Sequence, residues 1–200
     1  GIDRVRQALK GNSVSVAINT SSKATTDIYF SIDKSHRGLV DGGYEIIQND
    51  GRILVRAVDA PGAMYAALDI AEQIRFRADW KKMPTRKINP HFSVRAVKFN
   101  LPWSSYRTGP AMQQHMKVCR DLGFWQKFVD QMAENRFNIL SLWNVHPFSY
   151  MVKPANFPHP NSFSDTEMTQ WKNFWTSLFR MCRERGIEPF IVNWNIAVSP

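Results

Sequence analysis

Two cysteines in 200 residues, Cys119 and Cys182, are too few for a disulfide scaffold, and neither stands at metal-ligand spacing from a histidine. Cys182 falls on the apolar side of a helical pattern, so a free buried thiol is expected there. His36, His91, His115 and His159 are scattered with no pair at ligand spacing, so no metal is expected either. No apolar run approaches the ~20 residues a membrane-spanning helix needs. The first ten residues, which include Asp3, Arg4, Arg6 and Lys10, have no signal-peptide core. The sequence opens at Gly1 rather than Met, which leaves removal of a leader open, and the expected location is periplasmic or extracellular. A phosphate-binding glycine loop, a dinucleotide fingerprint and a Gly-x-Ser-x-Gly elbow are all missing, which argues against nucleotide and serine-hydrolase chemistry. No cofactor is expected. The formal charge is +9, yet residues 1–90 carry 14 basic and 10 acidic groups and residues 91–200 carry 12 and 7. That even spread forms no basic stripe, so a basic surface is expected and a nucleic-acid partner is not.

What is present is a globular composition, 44% hydrophobic and 22% charged. The organising stretch is Val94 to Trp103, a short strand pattern that ends abruptly in polar and aromatic residues. Two further strand patterns, Asn138 to Asn144 and Glu188 to Asn195, also end in a Trp and Asn pair. Amphipathic helices are expected between them. Phe124, Phe128, Val129 and Met132 share one face of a helix from about Asp121 to Asn135. Ser164 and Glu167 form a capping box ahead of Met168, Trp171, Trp175, Leu178 and Cys182, and Gly186 closes that second helix. Alternating strands and helices predict an α/β fold, here the first part of a TIM (β/α)8 barrel over 91–200, whose strand ends form the active-site face. The loop from Val145 to Phe163, with four prolines, reads as an insertion on that face.

The residues before this are expected to form a small α+β domain over 1–78. A helical opening from Ile2 to Leu9 precedes strand patterns at Val14 to Asn19 and Asp27 to Asp33. Tyr44 to Gln48 and Ile53 to Val58 flank Asn49, Asp50 and Gly51, the chemistry of a hairpin turn. A helix from about Gly62 to Phe76, with Met64, Leu68, Ala71 and Ile74 at helical spacing, should cover one face of a four-stranded sheet. Residues 79–90, with Pro84 and Pro90, read as a linker.

The run Gly43 to Gln48, then Arg52 to Val58, then Ala60-Pro-Gly-Ala-Met-Tyr-Ala-Ala-Leu-Asp-Ile-Ala-Glu-Gln-Ile-Arg75 resembles the accessory domain that precedes the barrel in family 20 β-N-acetylhexosaminidases and in α-glucuronidases. Pro90-His-Phe-Ser-Val-Arg95 is similar to the hexosaminidase opening of the first strand, where the Arg contacts sugar hydroxyls, so the resemblance gives Arg95 that role. The family's Asp five residues on is Asn100 here, and its His-Trp-His reads Ser141-Leu-Trp-Asn-Val-His146. A barrel-type glycoside hydrolase of another family is therefore the better fit, acting on a poly- or oligosaccharide.

The candidate sugar-binding residues are Arg95, Asn100, Trp103, Trp143, Asn144, His146, Asn193, Trp194 and Asn195. Each Trp suits either a barrel core or stacking on a sugar. Each Asn suits either a turn or the donor and acceptor pair a hydroxyl needs, and His146 is a loop residue or a hydroxyl ligand. Arg95, Lys98 and Arg107 gather at the first strand and suit an acidic substrate, with solvated side chains as the alternative. Glycoside hydrolysis needs suitably placed carboxylates. Of the seven acids in 94–200, Asp121 and Asp165 sit at helix starts, Glu167 in the capping box, Asp130, Glu134 and Glu184 on outer helices, and Glu188 at the opening of the third strand. The acid pair of the resembling families follows a fourth strand, expected after Pro200. A non-catalytic carbohydrate-binding protein and a module for anionic polymers are the alternative readings.

Overall fold

The computed structural model describes residues 1–11, 27–49, 52–76, 79, 82–102, 109–144, 147–153, 155–156 and 163–193. The chain divides into two compact units, Gly1–Ser93 and Val94–Pro200, in a mixed α/β fold with one sheet in each.

In the first unit, α1 (Ile2–Gly11) and β1 (Asp27–Ile32) precede the hairpin strands β2 (Tyr44–Asn49) and β3 (Arg52–Ala57). The long helix α2 (Ala60–Phe76) and a short strand β4 (Arg86–Ile88) follow. The sheet order is β1-β3-β2-β4, with β1 parallel to β3 and the other pairs antiparallel. Alternation along β3 buries Ile53, Val55 and Ala57 and exposes Arg52 and Arg56, so one sheet face is apolar. Ile46, Ile53 and Val55 meet Ala66, Ile70, Ala71 and Ile74 of α2, and Val5, Ala8 and Leu9 of α1 join the same core. Close approach at the start of α2 requires glycine, because a Cβ on Gly62 would lie 2.4 Å from the Gly43 carbonyl oxygen. Asp59 fastens that corner, accepting from the backbone N–H of Gly62 at 2.7 Å and of Gly42 at 2.8 Å.

The stretch 79–90 is not wholly a linker. Met83 is buried in the first core, and Arg86–Ile88 supplies the fourth strand by pairing with Tyr44–Ile46. Its Arg86-Lys87-Ile88 sequence hides the strand because the edge residue that turns inward is an arginine, which pairs with Asp69 of α2. The strand expected at Val14 to Asn19 lies outside the described residues.

In the second unit, β5 (Ala96–Asn100), β6 (Ile139–Asn144) and β7 (Glu188–Asn193) form a parallel sheet in that order. Between β5 and β6 run α3 (Pro110–Cys119), which the sequence reading did not anticipate, and α4 (Leu122–Glu134). A 3-10 turn (Pro147–Tyr150) and α5 (Asp165–Arg183) connect β6 to β7. Leu140 and Leu142 are fully buried against Trp125, Val129 and Met132 of α4 and Trp175, Leu178 and Cys182 of α5. Both helices end alike. Ile187 N–H donates to the Cys182 carbonyl at 2.9 Å with Gly186 at φ 63°, and Phe137 N–H donates to the Met132 carbonyl at 2.9 Å with Arg136 at φ 65°. Cys119 and Cys182 are free, buried thiols.

Candidate functional site

The parallel register brings the three strand ends to one edge of the second sheet. Asn100 pairs with Trp143, and Asn144 pairs with Asn193. Three asparagines and a tryptophan therefore share the C-terminal edge, because each strand stops at the same level. The Leu101 N–H donates to the Trp143 carbonyl at 2.7 Å, which fixes the end of β5 beside β6.

Val97 and Phe99 of β5 pack into the helix-covered core, and Phe99 lies 4.8 Å from Trp125 between ring centroids. The residues between them, Ala96, Lys98 and Asn100, therefore project from the opposite face. On β6 that face carries Ile139, Ser141 and Trp143, and on β7 Glu188, Phe190 and Val192. Phe190 is 47% exposed and Val192 37%. Lys98 sits one row below Asn100, with its Nζ 5.1 Å from the centroid of the Trp143 ring. A cation so placed is worth about 0.5–1 kcal/mol at an exposed site, and it restrains a half-buried ring in the same row as Asn100.

Arg95 is not at this edge. It precedes β5, where its N–H donates to Asn138 Oδ1 at 2.8 Å and its Nε to the Arg136 carbonyl at 2.6 Å. Its carbonyl accepts from Asn138 N–H at 3.0 Å. These bonds tie the start of β5 to the turn between α4 and β6, at the end of the sheet away from Asn100. Trp103, His146, Trp194 and Asn195, together with Arg107, lie outside the described residues, as do the side chains of Asn144 and Asn193.

None of the seven acids of 94–200 is at the strand-end edge. Asp121 caps α4, accepting from Gly123 N–H at 2.8 Å. Asp165 receives Lys153 Nζ at 2.7 Å, and that hydrogen bond and charge hold its carboxyl below the usual range. Glu167 accepts from Ser164 N–H at 2.8 Å while Ser164 Oγ accepts from Glu167 N–H at 3.3 Å, and these bonds to Ser164 lower its pKa. Asp130 pairs with Arg185 at 2.6 Å, and Glu184 lies 3.9 Å from the same arginine. Glu134 ends α4 and Glu188 opens β7. Among the described residues no group of three or more His, Cys, Asp or Glu is arranged to hold a metal ion, and no helix is long and apolar enough to cross a membrane.

A polar feature the sequence did not reveal is Arg120, whose guanidinium lies 4.7 Å over the Trp171 ring beside a cleft. Trp171 was legible as part of an apolar stripe, but nothing in the local pattern links it to a residue fifty-one positions earlier.

No family model and no curated protein matches the chain. Solved structures do. A GH138 enzyme targeting pectin rhamnogalacturonan II aligns over 98% of this chain and 23% of its own, with a TM-score of 0.82 and 22% identity. A mutant Streptomyces plicatus β-hexosaminidase in complex with GlcNAc aligns over 96% of this chain and 38% of its own, with a TM-score of 0.57 and 13% identity. The GH20 β-N-acetylhexosaminidase of Streptomyces coelicolor gives 0.54 and 14% over the same shares, 96% and 38%. The chain thus spans about a quarter to two fifths of these glycoside hydrolases, and what it shares with them, at such identities, is the fold of that segment.

Proposed function

We propose that this chain is the accessory domain and the first three strands of a (β/α)8 barrel in a glycoside hydrolase acting on a poly- or oligosaccharide. The observation that carries the reading is the likeness of fold to the GH138 enzyme over nearly the whole chain, at a TM-score of 0.82. The parallel sheet agrees with it. Such sheets occur almost only with both faces covered, and the face bearing Lys98, Trp143, Phe190 and Val192 would become the interior of a closed barrel. In this reading Asn100, Trp143, Asn144 and Asn193 form one wall of the sugar pocket, joined by Trp103, His146, Trp194 and Asn195, which follow the strands in sequence. The amides would meet hydroxyls from both their donor and acceptor sides, and the Trp143 ring would receive an apolar sugar face. Lys98 suits a carboxylate on the substrate, and the contribution of Arg95 is to hold the first strand in place. The reacting carboxylates would come from chain beyond Pro200.

A second reading, a carbohydrate-binding protein without catalysis, is favoured by one observation, the absence of any described acid from the strand-end edge. Titrating oligosaccharides against the chain while following the Trp143 indole by NMR tests the shared premise. Trp143→Ala should weaken binding by about tenfold or more, as loss of an aromatic stacking anchor does. Unchanged affinity in a folded variant removes the strand-end site.

A further inference from the structure

The helical layer of the second unit carries a cleft to which, among the described residues, no strand residue contributes. Arg120, Leu122, Gln170, Trp171, Asn173 and Ser177 line it. Arg120 follows α3 directly, and its backbone N–H donates to the Lys117 carbonyl at 3.3 Å. Its guanidinium carbon lies 4.7 Å from the Trp171 ring centroid. That ring is 4% exposed and is wedged by Tyr150 at 5.1 Å and Phe174 at 5.7 Å, both edge-on. The cation therefore rests on a fixed platform. Stacking occupies the flat face of a guanidinium and leaves its N–H edge available. Among the described residues that edge has no hydrogen-bond or ion-pair acceptor. The acid that feels its charge, Glu167, is engaged by Ser164. Gln170, Asn173 and Ser177 form one ridge of α5 at spacings of three and four residues, so two amides and a hydroxyl face the same cleft.

We propose that this cleft binds a uronic-acid residue of a glycan, with Arg120 forking the carboxylate. Gln170, Asn173 and Ser177 meet the ring hydroxyls, and Leu122 and Phe174 receive the C–H face. Among the described residues Arg120 is the one cation of the lining, and groups that both donate and accept surround it. That favours one carboxylate on a hydroxylated ring over an acidic peptide, which would call on several cations. The inference does not depend on the strand-end reading, since the two sites share no residue.

The test titrates the chain with trigalacturonate and with neutral galactotriose at matched ionic strength, followed by NMR. The acidic trimer should shift the Trp171 indole and the Asn173 and Gln170 side-chain amides, with the neutral trimer weaker. Arg120→Lys keeps a cation over the ring but loses the fork, and should weaken the acidic trimer by about fivefold or more. Asn173→Ala should weaken it by roughly threefold. A neutral trimer that binds equally well overturns the proposal, as does an Arg120→Lys protein with wild-type affinity. Shifts confined to Trp143 would assign the binding to the strand ends instead. A tetraglutamate peptide giving the same cleft shifts at higher affinity would overturn it in favour of a protein partner.

Discussion

The buried carboxylate of Asp69 offers a quantitative check on how the first unit is held together. It accepts from Tyr44 Oη at 3.0 Å and from Arg86 Nη2, so one side chain joins α2 to β2 and to the edge strand β4. Asp69→Ala removes both acceptors. Tyr44 is 5% exposed, and losing a buried hydrogen bond to a charged acceptor costs about 1.5–3 kcal/mol. Removing one member of a buried ion pair costs about 3–5 kcal/mol, but the Arg86 side chain is 21% exposed and partly rehydrates. Together these give about 2–4 kcal/mol, a large part of a typical domain's total stability of ~5–15 kcal/mol. Hydrogen exchange at the amides of Ile46 and Val55, which lie in this core, reports on this unit alone. Their protection should fall by a factor of roughly 30 to 1000. Replacing both partners, Asp69→Leu with Arg86→Met, should restore part of it, since an apolar pair leaves no charge stranded. A loss below about 0.5 kcal/mol for Asp69→Ala, or a double variant worse than the single one, would refute the reasoning.

Arg136 holds a left-handed conformation, φ 65°, that Gly186 adopts at the matching position after α5. Arg136→Gly should leave the second unit unchanged or stabilise it by up to about 1 kcal/mol, and a loss of more than that by urea unfolding would show that the arginine side chain outweighs its backbone strain. Asp121→Ala removes the cap of α4 and should cost about 1 kcal/mol, against little change for the exposed Asp165→Asn, with sugar binding unaltered in both. Burial pushes the Cys119 thiol up to about 12 and Cys182 to about 11. Because the folded values lie above the unfolded ones, the stability this gives is fully present below about pH 9 and is lost as the pH rises from there through the folded values. At pH 8 both thiols should react with Ellman's reagent only as fast as the unit opens, and labelling at the rate of a free thiol contradicts that burial.

Where residues carry their own periodicity, the sequence was sufficient. The α5 stripe of Trp171, Trp175, Leu178 and Cys182 is buried as its spacing requires, and the Ser164 box forms as drawn. β6 ends at Asn144 as expected, whereas β5 ends at Asn100, three residues short of Trp103, and β7 is described as far as Asn193. Legibility failed where tertiary pairing overrode local character. Arg86 and Lys87 look like linker residues until Asp69 is seen beneath them, and α3 hides because nine of its ten residues are at least partly exposed and only Cys119 is buried, leaving no apolar face to read. Arg95 carries contacts that the resemblance does not announce. Its sequence position matches, but its Nε is engaged by the Arg136 carbonyl at the far end of the strand. Of the strand-end group, the strands and their register could be anticipated from pattern, whereas the Lys98 contact with Trp143 could not, since it depends on two strands lying side by side.

The most direct measurement is release of reducing ends from oligosaccharides by a polypeptide that continues past Pro200, comparing wild type with Trp143→Ala. A glycoside hydrolase whose pocket wall includes these strand ends predicts turnover by the wild type and a loss of about tenfold or more in kcat/KM for the variant, with the fold intact. Tight binding without any release would contradict it and leave a carbohydrate-binding protein, and full activity in Trp143→Ala would place the sugar elsewhere.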